Sequence, residues 1–206
     1  MTGQAFDVGR LRHAFDRIGR AALGAGAQLD IALYGGAALM LASNFRFATE
    51  DADIAEIGKP WPEWLRQEVA DIASSEGWQP DWLNDAVQFH LSPLADQAAD
   101  HLPFGSFPRD GEPGLRVFVP AAPYMLALKL KAMRINDPAR GAQETSDIQN
   151  LLHVCGVAGI DEAIAILARY FPRSAIDADK QRFFLKHIWP QEPPRDDPPR
   201  YPVRDR

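Results

Sequence analysis

The spacing of apolar residues changes several times along the chain, and each change predicts an element. Between residues 7 and 23, Leu11, Phe15, Ile18 and Ala22 recur at i, i+4, i+7 and i+11, the pattern of an amphipathic helix with Asp7 as its cap. Leu29 to Tyr34 is a short apolar run stopped by Gly35-Gly36, a strand entering a tight turn, and Ala37 to Ser43 follows as a buried helix. From Thr49 to Ile57 acids alternate with Ala and Ile, which predicts a second strand with Asp51 and Asp53 on one face. Pro60 to Glu76 reads as a helix with Trp64, Val69 and Ile72 inward. Ala86 to Leu91 and Leu115 to Val119 are further strand candidates, separated by a Pro/Gly-rich loop from His101 to Gly114.

From Pro123 to about Phe184 the chain is helical, with breaks near Asp137–Gly141, Gly156–Gly159 and Pro172. The final stretch carries Pro190, Pro193, Pro194, Pro198, Pro199 and Pro202, a density that forbids regular helix and predicts an extended tail, disordered or held by a partner. The fold class expected is therefore α/β (α+β): a mixed sheet with flanking helices over residues 1–120, a helical part over 121–188 and a proline-rich tail over 189–206.

Composition narrows the function. The 206 residues are 46% hydrophobic and 24% charged, as in an ordinary globular protein. A net charge of −6 argues against a generally basic nucleic-acid coat and leaves room only for a local basic groove. Arg10, His13, Arg17 and Arg20 share one face of the first helix, either a solvated face or a phosphate contact. Cys155 is the single cysteine and sits in an apolar run, so it reads as a small buried hydrophobe. The opening residues have no basic-then-apolar signal, and Ile31 to Ser43 is too short and glycine-broken to span a bilayer. A cytoplasmic protein with no membrane association is the expectation. The five histidines lack zinc-like pairing, there is no Walker loop, no Gly-x-Gly-x-x-Gly after a strand and no Gly-x-Ser-x-Gly, and the tryptophans read as packing residues.

Two short patterns carry candidate chemistry. Gly35-Gly36, between strand and helix, lets backbone approach a ligand and offers unpaired N–H groups to a phosphate. Asp51-x-Asp53 puts two carboxylates on one strand face, where they repel unless a cation lies between them, and Mg²⁺ accepts one or two carboxylates plus substrate phosphates. Further on, a helical wheel puts Lys129 between Met125 and Met133, with Leu126 and Leu128 beside it and Lys131, Arg134 and Ala127 opposite. A lysine inside an apolar stripe is either snorkelling or functional. Asp147 belongs to Ser146-Asp147-x-Gln149, which has capping-box spacing and leaves a helix-capping role open.

Tyr34-Gly-Gly-Ala-Ala-Leu-Met-Leu followed by Arg46-x-x-Thr49-x-Asp51-x-Asp53-Ile resembles the opening motif of the nucleotidyltransferase superfamily. It is most similar to the branch around the AbiEii-type toxins of toxin–antitoxin and abortive-infection systems and to related nucleotidyltransferase-like domains. Leu128-Lys129-Leu130 and Asp147-Ile148-x-x-Leu151-Leu152 match that branch's later motifs, and the likeness covers roughly residues 30 to 155. The resemblance implies a polymerase-β-like fold and a Mg²⁺-dependent transfer of a nucleotide from NTP to a hydroxyl, favouring an RNA 3′ end such as tRNA. It implies Asp51 and Asp53 as metal ligands, Gly35, Gly36, Arg46, Thr49 and Lys129 around the nucleotide, and Lys129 and Asp147 with the two acids in catalysis. For Arg46 a helix-capping role, and for Thr49 a bond to the turn, stay open from the residues themselves. Many relatives carry a third carboxylate on a later strand. Leu115–Val119 has none, and Asp85 is a candidate stand-in. That departure keeps a second expectation alive: a catalytically inactive, antitoxin-like or regulatory protein that binds a cognate partner, with the proline-rich tail available for recognition. Transfer to a small molecule such as an aminoglycoside is compatible with the fold but has no motif here.

Overall fold

The computed structural model describes residues 5–55, 60–190 and 197–202. The first helix, α1 (Val8–Gly24), starts where its cap predicts: the Asp7 carboxylate accepts from the Arg10 amide at 2.9 Å. It is followed by β1 (Leu29–Tyr34), α2 (Gly35–Ala42), β2 (Ala52–Ala55), α3 (Glu63–Glu76), β3 (Leu83–Asn84) and a 3₁₀ turn over Ala86–His90. Then come β4 (His101–Phe107), β5 (Leu115–Pro120) and five helices: α4 (Ala122–Ala132), α5 (Gly141–Val154), α6 (Ile160–Tyr170), α7 (Pro172–Ile176) and α8 (Asp179–Ile188). The fold is mixed α/β.

The sheet order is β3-β2-β1-β5-β4. The central strand β1 runs parallel to β5 and antiparallel to β2, in a register that sets Tyr34 opposite Asp53. Both of its inner residues, Ile31 and Leu33, are buried, as a central strand covered by helices requires. Phe15 of α1 meets Phe107 of β4 at 5.4 Å, and Trp78 and Trp82 fill the core beside Phe6. The basic stripe of α1 is an ion-pair seam: Arg10 and Arg17 bond Glu76 and Glu68 of α3, and Arg20 bonds Asp110.

Several expected boundaries are corrected. The stretch 101–114 is not all loop, because 101–107 forms β4. Pro103 and Gly105 disguise it, and both are tolerated because β4 is an edge strand with a register shift between those two residues. Ala86–Leu91 is not a strand: the Asn84 side chain accepts from the Ala86 amide at 3.1 Å and starts a 3₁₀ turn, leaving Phe89 82% exposed. Thr49 pairs with Phe6 in an isolated bridge outside β2, while Glu56 and Ile57 lie outside the described residues. Pro172 opens α7 rather than only breaking a helix, since proline suits a first helical turn.

The described part of the tail is held by this chain itself. Asn44 donates to Asp197 and to the Pro198 carbonyl and accepts from the Arg200 amide at 2.7 Å. Tyr201 is buried and its hydroxyl donates to the Pro120 carbonyl at 2.7 Å. Cys155 is partly buried, and burial pushes its thiol up to about 11, so it is a poor nucleophile. No described helix is long and apolar enough to cross a membrane.

Asp16 on α1 fixes the loop after β4, accepting from the Arg109 amide at 2.9 Å and from its guanidinium at 2.6 and 3.0 Å. Burial pushes the carboxyl up, but the Arg109 bonds and charge outweigh it and hold it below the usual range. A carboxylate depressed on folding stabilises above its unfolded pKa, and that contribution is lost as pH falls through the folded value. Asp16→Asn should therefore lower unfolding free energy by about 1–3 kcal/mol at pH 7. The gap to wild type should close below about pH 4, near the unfolded carboxyl value. Urea titrations at both pH values check this, and a gap that persists in acid would contradict it.

Candidate functional site

The carboxyl end of β1 is where the first glycine pair is needed. Gly35 takes φ +62°, and a Cβ there would sit 3.0 Å from an Asp53 carboxylate oxygen. Gly36 has no such torsional demand, but a Cβ would lie 2.8 Å from the Arg46 guanidinium and 2.9 Å from Thr49 Oγ1. The turn is thus narrow on both sides: the Asp53 carboxylate of β2 presses one glycine, and the connector after α2 presses the other. The Tyr34 side chain bonds His101 at 2.7 Å and does not cap α2, whose first amides have no partner within the helix itself.

Asp51, Asp53, Gly35 and Lys129 come together on one cavity of about 470 Å³ between β2, the 3₁₀ turn and α4. Burial and the neighbouring Asp51 carboxylate raise the Asp53 pKa, against the pull of a hydrogen bond from Asn84 and the charges of Arg134 and Arg140. Asp51 accepts from Thr49 Oγ1 at 3.3 Å, and the Arg140 guanidinium approaches it at 3.9 Å. Lys131 and Arg134 face the same cavity as Lys129. Lys131 lies inside α4, so only for Arg134 does the wheel fail by assuming an unbroken helix. In fact α4 ends at Ala132, and Met133 turns the chain at φ 42°, carrying Arg134 back. Lys131 donates to the His90 carbonyl at 2.8 Å, and burial lowers its pKa.

Behind this wall lies a buried charge cluster. Lys129 Nζ donates to Glu144 at 3.0 Å and to Asp147 at 2.9 Å, and Arg46 donates to the same Asp147 oxygen at 2.8 Å. Asp147 is fully buried, and Gln143 donates to its other oxygen at 3.0 Å. Asp147 is therefore no helix cap: α5 begins six residues earlier at Gly141, and Ser146 and Gln149 lie inside it. Arg46 is not a helix cap either; its other bond goes to the Ala48 carbonyl at 3.0 Å. Gly36, Arg46, Thr49 and Asp147 stand behind the cavity lining, and Gly35, Asp51, Asp53 and Lys129 stand in it. Asp85 lines a neighbouring cleft with Asn84, Trp61 and Arg66, so it does not take the third-acid position beside Asp51 and Asp53.

Sequence reasoning missed Glu144, Arg140 and Arg134. Glu144 and Asp147 share a helix face at i, i+3, but nothing in the sequence pairs that face with Lys129. Among the described residues no three His, Cys, Asp or Glu side chains group closely enough to hold a metal by themselves. Two adjacent carboxylates at a site that phosphates can reach nonetheless suit Mg²⁺, which keeps waters and substrate oxygens in its shell. The raised Asp53 pKa points the same way, since a cation between the acids would relieve their repulsion.

No family model matches the chain, and no curated protein or solved structure shows a significant similarity to it.

The two acid groups should behave oppositely on mutation. Asp147→Asn leaves two buried cations short of their shared charge and should cost about 3–5 kcal/mol. Asp51→Asn removes one of two repelling charges at a half-exposed position and should change stability by less than about 0.5 kcal/mol. Chemical unfolding of both variants decides; equal losses would remove the distinction between buried cluster and cavity wall.

Proposed function

We propose that the protein is a Mg²⁺-dependent nucleotidyltransferase that moves a nucleotide from NTP to a hydroxyl, with an RNA 3′ end such as tRNA as the favoured acceptor and a toxin-like or phage-defence setting. The observation that carries the reading is the meeting of Asp51, Asp53, the open amino end of α2 at Gly35, and Lys129 on one cavity. Its volume lies within the usual range for small-ligand sites.

In the reaction an acceptor oxygen forms a bond to the α-phosphorus, the bond from that phosphorus to the α–β bridging oxygen breaks, pyrophosphate leaves, and the acceptor's proton passes to solvent water. Asp51 and Asp53 would hold the metal, which supplies positive charge to the phosphates. The amide at Gly35, on the first turn of α2, donates to a phosphate oxygen, aided by the helix dipole. Lys129, Lys131 and Arg134 line the same space and Arg140 stands beside Asp51, positive charge that would stabilise a transition state spreading charge over phosphoryl oxygens. Arg46 and Asp147 act as positioning residues by fixing Lys129, and Thr49 does the same for Asp51.

A second reading is favoured by β5, which carries no acid: a nucleotide-binding protein without transfer, acting through a protein partner. One experiment separates the two. Each radiolabelled NTP is incubated with Mg²⁺ and total tRNA, using wild type and the Asp51→Ala/Asp53→Ala double variant. Label on tRNA with wild type alone, and a melting temperature in the variant within a few degrees, is the expected result. Transfer retained by the double variant would remove the metal assignment, and nucleotide binding without label would favour the second reading.

A further inference from the structure

Glu144 is anchored on one side only. Its Oε1 accepts from Lys129, but Oε2 is shut away from solvent with no hydrogen-bond donor among the described residues, while the residue lines the cavity. A buried carboxylate oxygen without a donor costs free energy, and native proteins seldom leave one so. The terminal torsion of a glutamate is broad and nearly two-fold, so its carboxylate can turn without leaving a rotamer well.

The chemistry of the missing donor follows from charge. A carboxylate repels phosphate and accepts from a cation or a neutral donor, and a nucleotide offers only neutral ones, its sugar hydroxyls and base N–H groups. Its place follows from α5. Arg140, which approaches Asp51, lies four residues before Glu144, about one helical turn or 5–6 Å along the axis. The part of a nucleotide next to its phosphates is the sugar, and its hydroxyls are donors that every ribonucleotide shares.

We propose that Glu144 is the sugar-reading residue of the cavity, its unpaired Oε2 accepting a hydrogen bond from a ribose hydroxyl. This rests on the nucleotide reading of the site. It makes the protein selective for ribonucleotides over deoxynucleotides without any contact to the base.

The test is a cycle of binding measurements. Each of the four ribonucleoside triphosphates and its 2′-deoxy and 3′-deoxy counterpart is titrated with Mg²⁺ into wild type, Glu144→Ala and Glu144→Gln. Wild type should prefer the ribonucleotide over one deoxy series by about tenfold or more, the scale of a hydrogen bond to a charged group. Glu144→Ala should bring that ratio close to one, and Glu144→Gln, which keeps an acceptor and the side-chain shape, should retain part of it. A purely structural role would weaken both ligands equally. An unchanged ratio in Glu144→Ala, or in Glu144→Gln should the alanine variant not fold, would overturn the proposal, as would a wild type without preference. Wild type that binds no nucleotide at all would overturn the nucleotide reading as well.

Discussion

Asp147 has no access to water, so its charge has to be balanced within the protein. An isolated carboxylate in that position would cost several kcal/mol in lost hydration. The balance comes from three separate parts of the chain: Arg46 from the connector after α2, Lys129 from α4, and Asp147 with Glu144 from α5. Two positive and two negative groups close the cluster. The same constraint reaches the glycine turn, because Arg46 can cross to Asp147 only where Gly36 offers no side chain. The sheet and the helices after it are therefore joined by electrostatics as well as by apolar packing, and loss of either cation would leave a buried acid exposed to its own desolvation cost.

The cavity wall obeys the opposite logic. Asp51 and Asp53 are held near one another with no buried cation between them among the described residues, and burial together with the Asp51 charge raises the Asp53 pKa. Arg134 and Arg140 reduce that rise without cancelling it. Asp53, whose surroundings disfavour its charge, thus sits where the start of α2 and several cationic side chains converge. Such local conflict, set within an otherwise well-balanced core, is what a ligand site requires.

Much of this was legible in the sequence, and the failures have physical causes. The helix period of α1, the apolar run of β1 and the Asp51-x-Asp53 alternation report burial on one side of an element, which local pattern carries directly. Edge strand β4 was hidden because Pro103 and Gly105 are breakers only where both edges of a strand must bond. The 3₁₀ turn at Ala86 depends on one side-chain bond from Asn84, invisible to periodicity. Lys129 was recognised as an unusual lysine in an apolar stripe, but its partners were not. Glu144 and Asp147 come from a different helix, and only the packing of α4 on α5 brings them together. Arg134 was assigned to the far side of the wheel because nothing local announced the left-handed turn at Met133.

Lys129 belongs to both regimes, and that dual membership has a consequence for binding. An ammonium group carries three N–H donors. Two are committed to Glu144 and Asp147, which fix the side chain, and the third is the one that a phosphate oxygen in the cavity would take. A flexible lysine loses rotamer freedom when it meets a ligand, at a cost of about 0.5–1.5 kcal/mol. Here that ordering is completed during folding, by the buried cluster behind the wall. The ion pairs that hold the sheet to the helices thus also set the position of the charge that faces the cavity.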